Sequence, residues 1–316
     1  MKVSVKTPAT IANLGPGFDS FGLALPLYNI ISVEETVLPG SGIEISIINE
    51  KNNEETDLAE VPTDKTNIVY KAIELLYNFI GQIPTELKIT VKTQIPIARG
   101  LGSSASVIVG GLIAANELLG RPADEKVLMS IATEIEGHPD NITPAFTGGV
   151  TVSSWEEDGS IIYRNLPWND EWKLMVCVPD YELNTGVSRS VIPKEVPLKD
   201  AVYNLKKSAM FVEALHTKDE ELLKLSLDDK LHQPYREKIV PGLFEIKNNL
   251  KHVNGVLGTV LAGAGPSILV IYNGIGVSEI KEVVTNSWNY HNIKCTFFNL
   301  PIEKSGATLV NQVRLG

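Results

Sequence analysis

The segment Pro96-Ile97-Ala98-Arg99-Gly100-Leu101-Gly102-Ser103-Ser104-Ala105-Ser106 constrains this chain more than any other. A strand pattern over 87–91 precedes it, and an apolar helical pattern over 103–119 follows it. Gly100 and Gly102 let backbone N–H groups turn toward one point without a Cβ in the way. Ser103 and Ser104 fall in the first helical turn, where amides are unpaired and the helix dipole favours an anion. Their hydroxyls can reach a phosphate or a metal ion. This is the physics of a nucleotide cradle. The alternative is a plain strand-to-helix turn, with glycine for tightness and serine as N-cap. Neither GxxxxGK[ST] nor a complete GxGxxG opening a helix is present, which excludes the P-loop and dinucleotide readings.

The length of 316 residues suggests two domains, and 43% hydrophobic content is ordinary for a globular chain. The net charge of -10 argues against a general nucleic-acid binder, which needs basic surface. Cys177 and Cys295 form no CxxC pair, so both read as free buried thiols in a reducing compartment. No signal-type apolar segment follows residues 1–7, and the apolar stretch 107–115 is too short to span a bilayer. The expectation is a soluble cytoplasmic protein with no membrane partner.

Periodicity divides the chain near 159–172, giving domains at 1–165 and 166–316. In the first, strands are expected over 3–6, 28–34, 42–48 and 87–91, with helices over 67–80, 103–119 and 123–136. Residues 7–19 read as irregular yet too apolar for a solvent loop, and 49–64 as an exposed acidic loop. In the second, strands over 174–178, 256–261, 268–272 and 295–298 alternate with helices over 198–215, 243–251 and 277–290. Leaving aside extra central helices, the order is β-α-β-β-α-β, the ferredoxin-like pattern. The fold class is α+β.

Three ordered segments resemble the GHMP kinases: residues 7–19, the Pro-x-x-x-Gly-Leu-Gly-Ser-Ser-Ala run, and Gly258 to Ser267. The resemblance implies a two-domain fold, an N-terminal domain like domain 2 of ribosomal protein S5 and a ferredoxin-like C-terminal domain. Glu134-Ile135-Glu136-Gly137-His138-Pro139-Asp140-Asn141 is similar to the EGHPDN-like segment of the homoserine kinase branch, as are 18–22 and 228–236. The implied activity is ATP-dependent phosphorylation of L-homoserine in threonine biosynthesis, with Mg²⁺, by a homodimer.

The resemblance assigns the nucleotide to Pro96, Ile97, Ala98, Arg99, Gly100, Leu101, Gly102, Ser103, Ser104, Ala105 and Ser106. Asn67 is a further nucleotide-side candidate, with a polar helix-start residue as its alternative. Mg²⁺ is assigned to Ser104 and Glu134, hard oxygen ligands, with Glu136 competing. A zwitterionic substrate needs cations for its carboxylate, for which Arg189 and Arg236 are candidates, and an anion for its ammonium, for which Asp19 and Asp140 are. Asn13 and Asn141 would orient the hydroxyl, and Thr185, His138 and Gly263 complete the substrate set. Asn141, Glu134 and Arg189 are the expected catalytic residues. No general base is named, since the hydroxyl can attack directly and lose its proton late. His216, His232, His252 and His291 show no metal-ligand spacing and receive no role. The competing readings are a GHMP kinase for shikimate, mevalonate or a sugar, and a non-catalytic binding protein on the same fold.

Overall fold

The computed structural model describes residues 1–36, 42–49, 54–55, 61–84 and 86–310. The chain starts with a long antiparallel hairpin, β1 (Lys2–Ala12) and β2 (Phe21–Glu35), followed by β3 (Ile43–Asn49), β4 (Glu54–Glu55), α1 (Ile68–Phe79) and β5 (Leu87–Thr93). Helices α2 (Ser103–Leu118), α3 (Glu125–Glu136) and α4 (Pro139–Thr147) come next, then β6 (Val150–Trp155) and β7 (Ile161–Leu166). The first sheet runs β12-β1-β2-β5-β3-β4, where β12 is the short C-terminal strand Thr308–Leu309, and β6 pairs with both β2 and β7. Among the described residues, only β3 and β5 pair in parallel. Helix α2 lies across β1 and β2 and touches α1, α3 and α4, so the helix is fixed in place along its length.

The second half comprises β8 (Lys173–Pro179), α5 (Thr185–Ser190), α6 (Leu198–Thr217), α7 (Glu220–Ser226), α8 (Gln233–Arg236), α9 (Leu243–Leu250), β9 (Val256–Leu261), β10 (Ile268–Tyr272), α10 (Val277–Asn289), β11 (Cys295–Leu300) and β12 (Thr308–Leu309). Its antiparallel sheet has the order β11-β8-β10-β9, the ferredoxin-like arrangement expected from the β-α-β-β-α-β pattern. Strand β8 is apolar on both faces. Leu174, Val176 and Val178 join a core shared with Ile11, Phe21 and Leu101 of the first half, whereas Met175 and Cys177 pack against α9 and α10. The two halves therefore share a core directly beneath the cleft described below. Strand β12 returns to pair with β1.

Several expectations shift. Residues 7–12 are not irregular but the buried end of β1, where Ala9 and Ile11 have no exposed surface. A register shift between Pro8 and Ala9 accommodates a proline that has no N–H to give the ladder. Helix α4 was not expected, because Pro139 and Pro144 disguise it, although Pro139 sits in the first turn where no N–H is required. Strands β6 and β7 and helix α5 were also not expected. The loop expected over 49–64 lies mostly outside the described residues. Among the described residues, no helix is long and apolar enough to cross a membrane. Both cysteines are free; Cys177 is buried, which pushes its thiol up, and Cys295 is partly buried.

Candidate active site

The connection from β5 to α2 forms the floor of an open cleft of about 1220 Å³, its solvent-filled mouth included. The two loop glycines are there for different close approaches. Gly100 has φ +74°, and a Cβ on it would lie 2.2 Å from the carbonyl oxygen of Ala262. Gly102 caps α2 at φ +62°, and a Cβ there would lie 1.9 Å from the Thr10 hydroxyl oxygen. No side chain caps α2, which removes the alternative of serine as N-cap and leaves the helix N-terminus open to the cleft. The loop is tied to the second half of the chain: Leu183 N–H donates to Ala98 at 3.1 Å and Ser267 N–H to Arg99 at 3.3 Å. The Arg99 side chain faces the same junction, donating to the Pro179 carbonyl at 3.1 Å and lying 3.4 Å from Glu182.

Pro96, Ile97, Ala98, Arg99, Gly100, Leu101, Gly102, Ser103 and Ser104 all line the cleft. Ala105 and Ser106 do not. Both are fully buried, and the Ser106 hydroxyl donates to the Thr7 carbonyl at 3.2 Å, because the next positions of the helical turn face β1. Asn67 also lines the cleft, but its amide is engaged as the N-cap of α1, accepting from Val69 N–H at 2.9 Å and donating to the Pro62 carbonyl at 2.5 Å.

The Mg²⁺ assignment needs a correction. Glu134 is exposed and lies outside the cleft, whereas Glu136 lines it and accepts from the Ser104 hydroxyl at 2.9 Å. Two residues apart on α3, the carboxylates point roughly 200° away from each other, so only one of them can face α2. Burial pushes the Glu136 carboxyl above its usual range, against the opposing pull of His138 and Ser104.

At the polar end, Asn13, Asp19, His138, Asp140, Asn141, Thr185, Arg189, Arg236 and Gly263 all converge. Asn13 sits in the left-handed region, φ 73°, which lets its Oδ1 accept from Asp19 N–H at 3.0 Å while its Nδ2 donates to the Gly263 carbonyl at 3.1 Å. The Thr10 hydroxyl donates to Asn141 Oδ1 at 2.8 Å. His138 Nδ1 lies 2.6 Å from Asp140 Oδ1. Burial alone would lower the His138 pKa, but the hydrogen bond and charge of Asp140, aided by Glu136 and Asp19, raise it on balance. Asp140 is fully buried, and its second oxygen, Oδ2, has no hydrogen-bond partner among the described residues. Asp140 lines the cleft, so this oxygen is left with the capacity to accept one more hydrogen bond there.

Arg236 is its counterpart. Only 2% exposed, it donates to the Ser188 and Gly263 carbonyls at 3.3 and 3.1 Å and meets no carboxylate among its described contacts. Burial, and then the charge of Arg189, lower its pKa to about 10. His232 contributes after all, though not to a metal. Its Nε2 donates to the Gly15 carbonyl at 2.8 Å, which leaves Nδ1 to accept from Arg236 at 3.0 Å. Burial lowers its pKa to about 4, keeping the ring neutral for that acceptor role. Phe18 stacks on His232 and lies beneath both guanidinium groups, 5.5 Å from Arg189 and 5.7 Å from Arg236. Sequence reasoning missed His232, Thr10 and Phe18; the spacing of His232 four residues before Arg236 on one helical face was the available signal.

Two family models match the chain, the GHMP kinases N terminal domain over residues 67–149 and the GHMP kinases C terminal over 211–289. Homoserine kinases of Petrotoga mobilis and Microchaete diplosiphon are 44% and 38% identical over 310 residues each, covering 98% of this chain and 97% and 98% of theirs. The chain belongs to the GHMP kinases. A solved homoserine kinase from Cytophaga hutchinsonii has a TM-score of 0.84 at 25% identity, covering 98% of this chain and 97% of that one. The matched GHMP kinase regions contain the glycine loop, Ser104, Glu136, Asp140 and Asn141 in the first case, and Arg236 and Gly263 in the second.

Proposed function

We propose that this chain transfers the γ-phosphoryl group of ATP to the hydroxyl of L-homoserine. The observation that carries the acceptor is one cleft holding a buried guanidinium without a carboxylate, Arg236, and a buried carboxylate oxygen without a donor, Asp140 Oδ2. Together they complement an α-amino acid, and shikimate, mevalonate and sugars lack the amine. The full-length relatives named homoserine kinase support the same acceptor.

In this reading, the open N-terminus of α2 and the loop amides hold the ATP phosphates. Ser104 and Glu136, oxygen donors already adjacent, fit a hard divalent ion and would hold Mg²⁺. When bound, the ion supplies positive charge that neutralises the phosphates. Arg236 takes the homoserine carboxylate, Asp140 takes the ammonium, and Thr10 fixes Asn141 so that its amide NH₂ donates to the reacting hydroxyl. The hydroxyl oxygen bonds to the γ-phosphorus as the bond to the ADP oxygen breaks, and its proton leaves late, to phosphate. In this reading Arg189 holds Asp19, His138 and the ammonium hold Asp140, and Glu136 would hold the ion, so positioning and charge stabilisation carry the rate. A cytoplasmic homodimer is part of the same reading, checked by sedimentation. Phosphorus NMR of the product tests the reaction: an O-phosphorylated amino acid supports it, and inorganic phosphate alone contradicts it.

A further inference from the structure

The apolar end of the cleft is lined by Ile47, Val61, Ile68, Val69, Val91 and Val107, walls suited to a flat ring. One polar side chain among them is unexplained. Asn29, on β2 opposite Thr93 of β5, lines the cleft and is fully buried. Among the described residues, neither its Oδ1 nor its Nδ2 has a hydrogen-bond partner. Buried amides in folded proteins are paired, so an amide with both ends open beside a cavity points to a partner that arrives with the ligand. Of its cross-strand neighbours, Thr93 is engaged, whereas the hydroxyl of Thr7, opposite it on β1, is likewise without a partner among the described residues. Thr93 Oγ1 accepts from Ile95 N–H at 3.1 Å, and the Asn67 amide caps α1.

We propose that Asn29 reads the adenine base of the nucleotide, its Nδ2 donating to a ring nitrogen and its Oδ1 accepting from the N6 amino group. Adenine presents that acceptor and donor side by side, the pattern an asparagine amide matches with two hydrogen bonds. The inference rests on the reading of ATP as phosphoryl donor and adds the residue that recognises its base.

Calorimetric binding of ATP and of purine riboside triphosphate, which lacks the N6 amine, tests it, without homoserine and with Mg²⁺ present. The wild-type protein is expected to bind ATP about tenfold or more tightly than the analogue. Asn29→Leu is expected to bind both alike, at the weaker level, with the KM for homoserine unchanged. Should Asn29→Leu fail to fold, Asn29→Ala, which also removes the acceptor for the N6 amine, replaces it, and loss of the ATP preference is again expected. A variant that keeps the wild-type preference, or a wild-type protein with none, overturns the role of Asn29. So does a loss of melting temperature with nucleotide preference intact, which makes the amide a structural group. A wild-type protein that binds neither nucleotide overturns the kinase reading itself.

Discussion

Arg189 donates two hydrogen bonds to the carboxylate of Asp19, at 3.0 and 2.7 Å, joining α5 to the turn between β1 and β2. Both are candidates for opposite ends of a zwitterion, and the structure pairs them with each other. The pair is substantially exposed, so its own contribution to stability is at most about 1 kcal/mol. Asp19→Ala should therefore shift the melting temperature by only a few degrees while raising the KM for homoserine roughly tenfold, since Arg189 loses its orientation. Steady-state kinetics with a thermal melt separate the two effects. A large loss of stability with an unchanged KM would make the pair structural.

Arg236 is fixed in place by two carbonyls and His232 and meets no carboxylate among its described contacts. Arg236→Met should raise the KM for homoserine by about 100-fold or more, in line with losing a buried charge-assisted bond, and leave the KM for ATP within about threefold. The same variant leaves two carbonyls without their donor and should cost about 1–3 kcal/mol of stability by denaturant unfolding. An ATP effect as large as the homoserine effect would contradict the division of the cleft into two ends.

Glu136 and Glu134 make a matched comparison on one helix. Glu136→Gln should raise the Mg²⁺ concentration needed for half-maximal activity by about tenfold or more, and Glu134→Gln should change it by less than about twofold. Because burial raises the Glu136 pKa, Mg²⁺ affinity should fall as pH is lowered, beginning above the usual carboxylate range. Chelation with EDTA should abolish turnover.

The motifs that place the site were legible because their residue types are scarce in other roles: glycines 100 and 102 ahead of serines 103 and 104, and the run from His138 to Asn141. What the sequence did not disclose was direction. Glu134 and Glu136 differ only by half a turn of α3, and Ala105 and Ser106 only by their position on the first turn of α2. Proline-rich α4 has no apolar stripe, since every residue from Pro139 to Phe146 is buried, and so its periodicity is silent. Asn29 reads as an ordinary polar position in a strand. Only its pairing beside Thr93 and its missing partners single it out.

His138 gives the pH prediction. Its pKa is raised in the folded protein above the usual 6.5, so the protonated ring stabilises the fold. For a raised folded-state pKa, that contribution is fully present below the unfolded value and is lost as pH rises through the folded one. Melting curves from pH 6 upward should show the wild-type protein losing stability relative to His138→Gln, which cannot titrate. Parallel curves for the two proteins would mean that Asp140 does not hold the imidazolium.

The most direct test of the central claim is coupled ADP release with ATP, Mg²⁺ and, separately, L-homoserine, shikimate, mevalonate, galactose and L-threonine. Turnover with L-homoserine alone is the predicted result. Turnover with an acceptor that lacks the ammonium, and none with homoserine, would contradict the pairing of Arg236 and Asp140 as an amino-acid pocket while leaving the kinase fold in place.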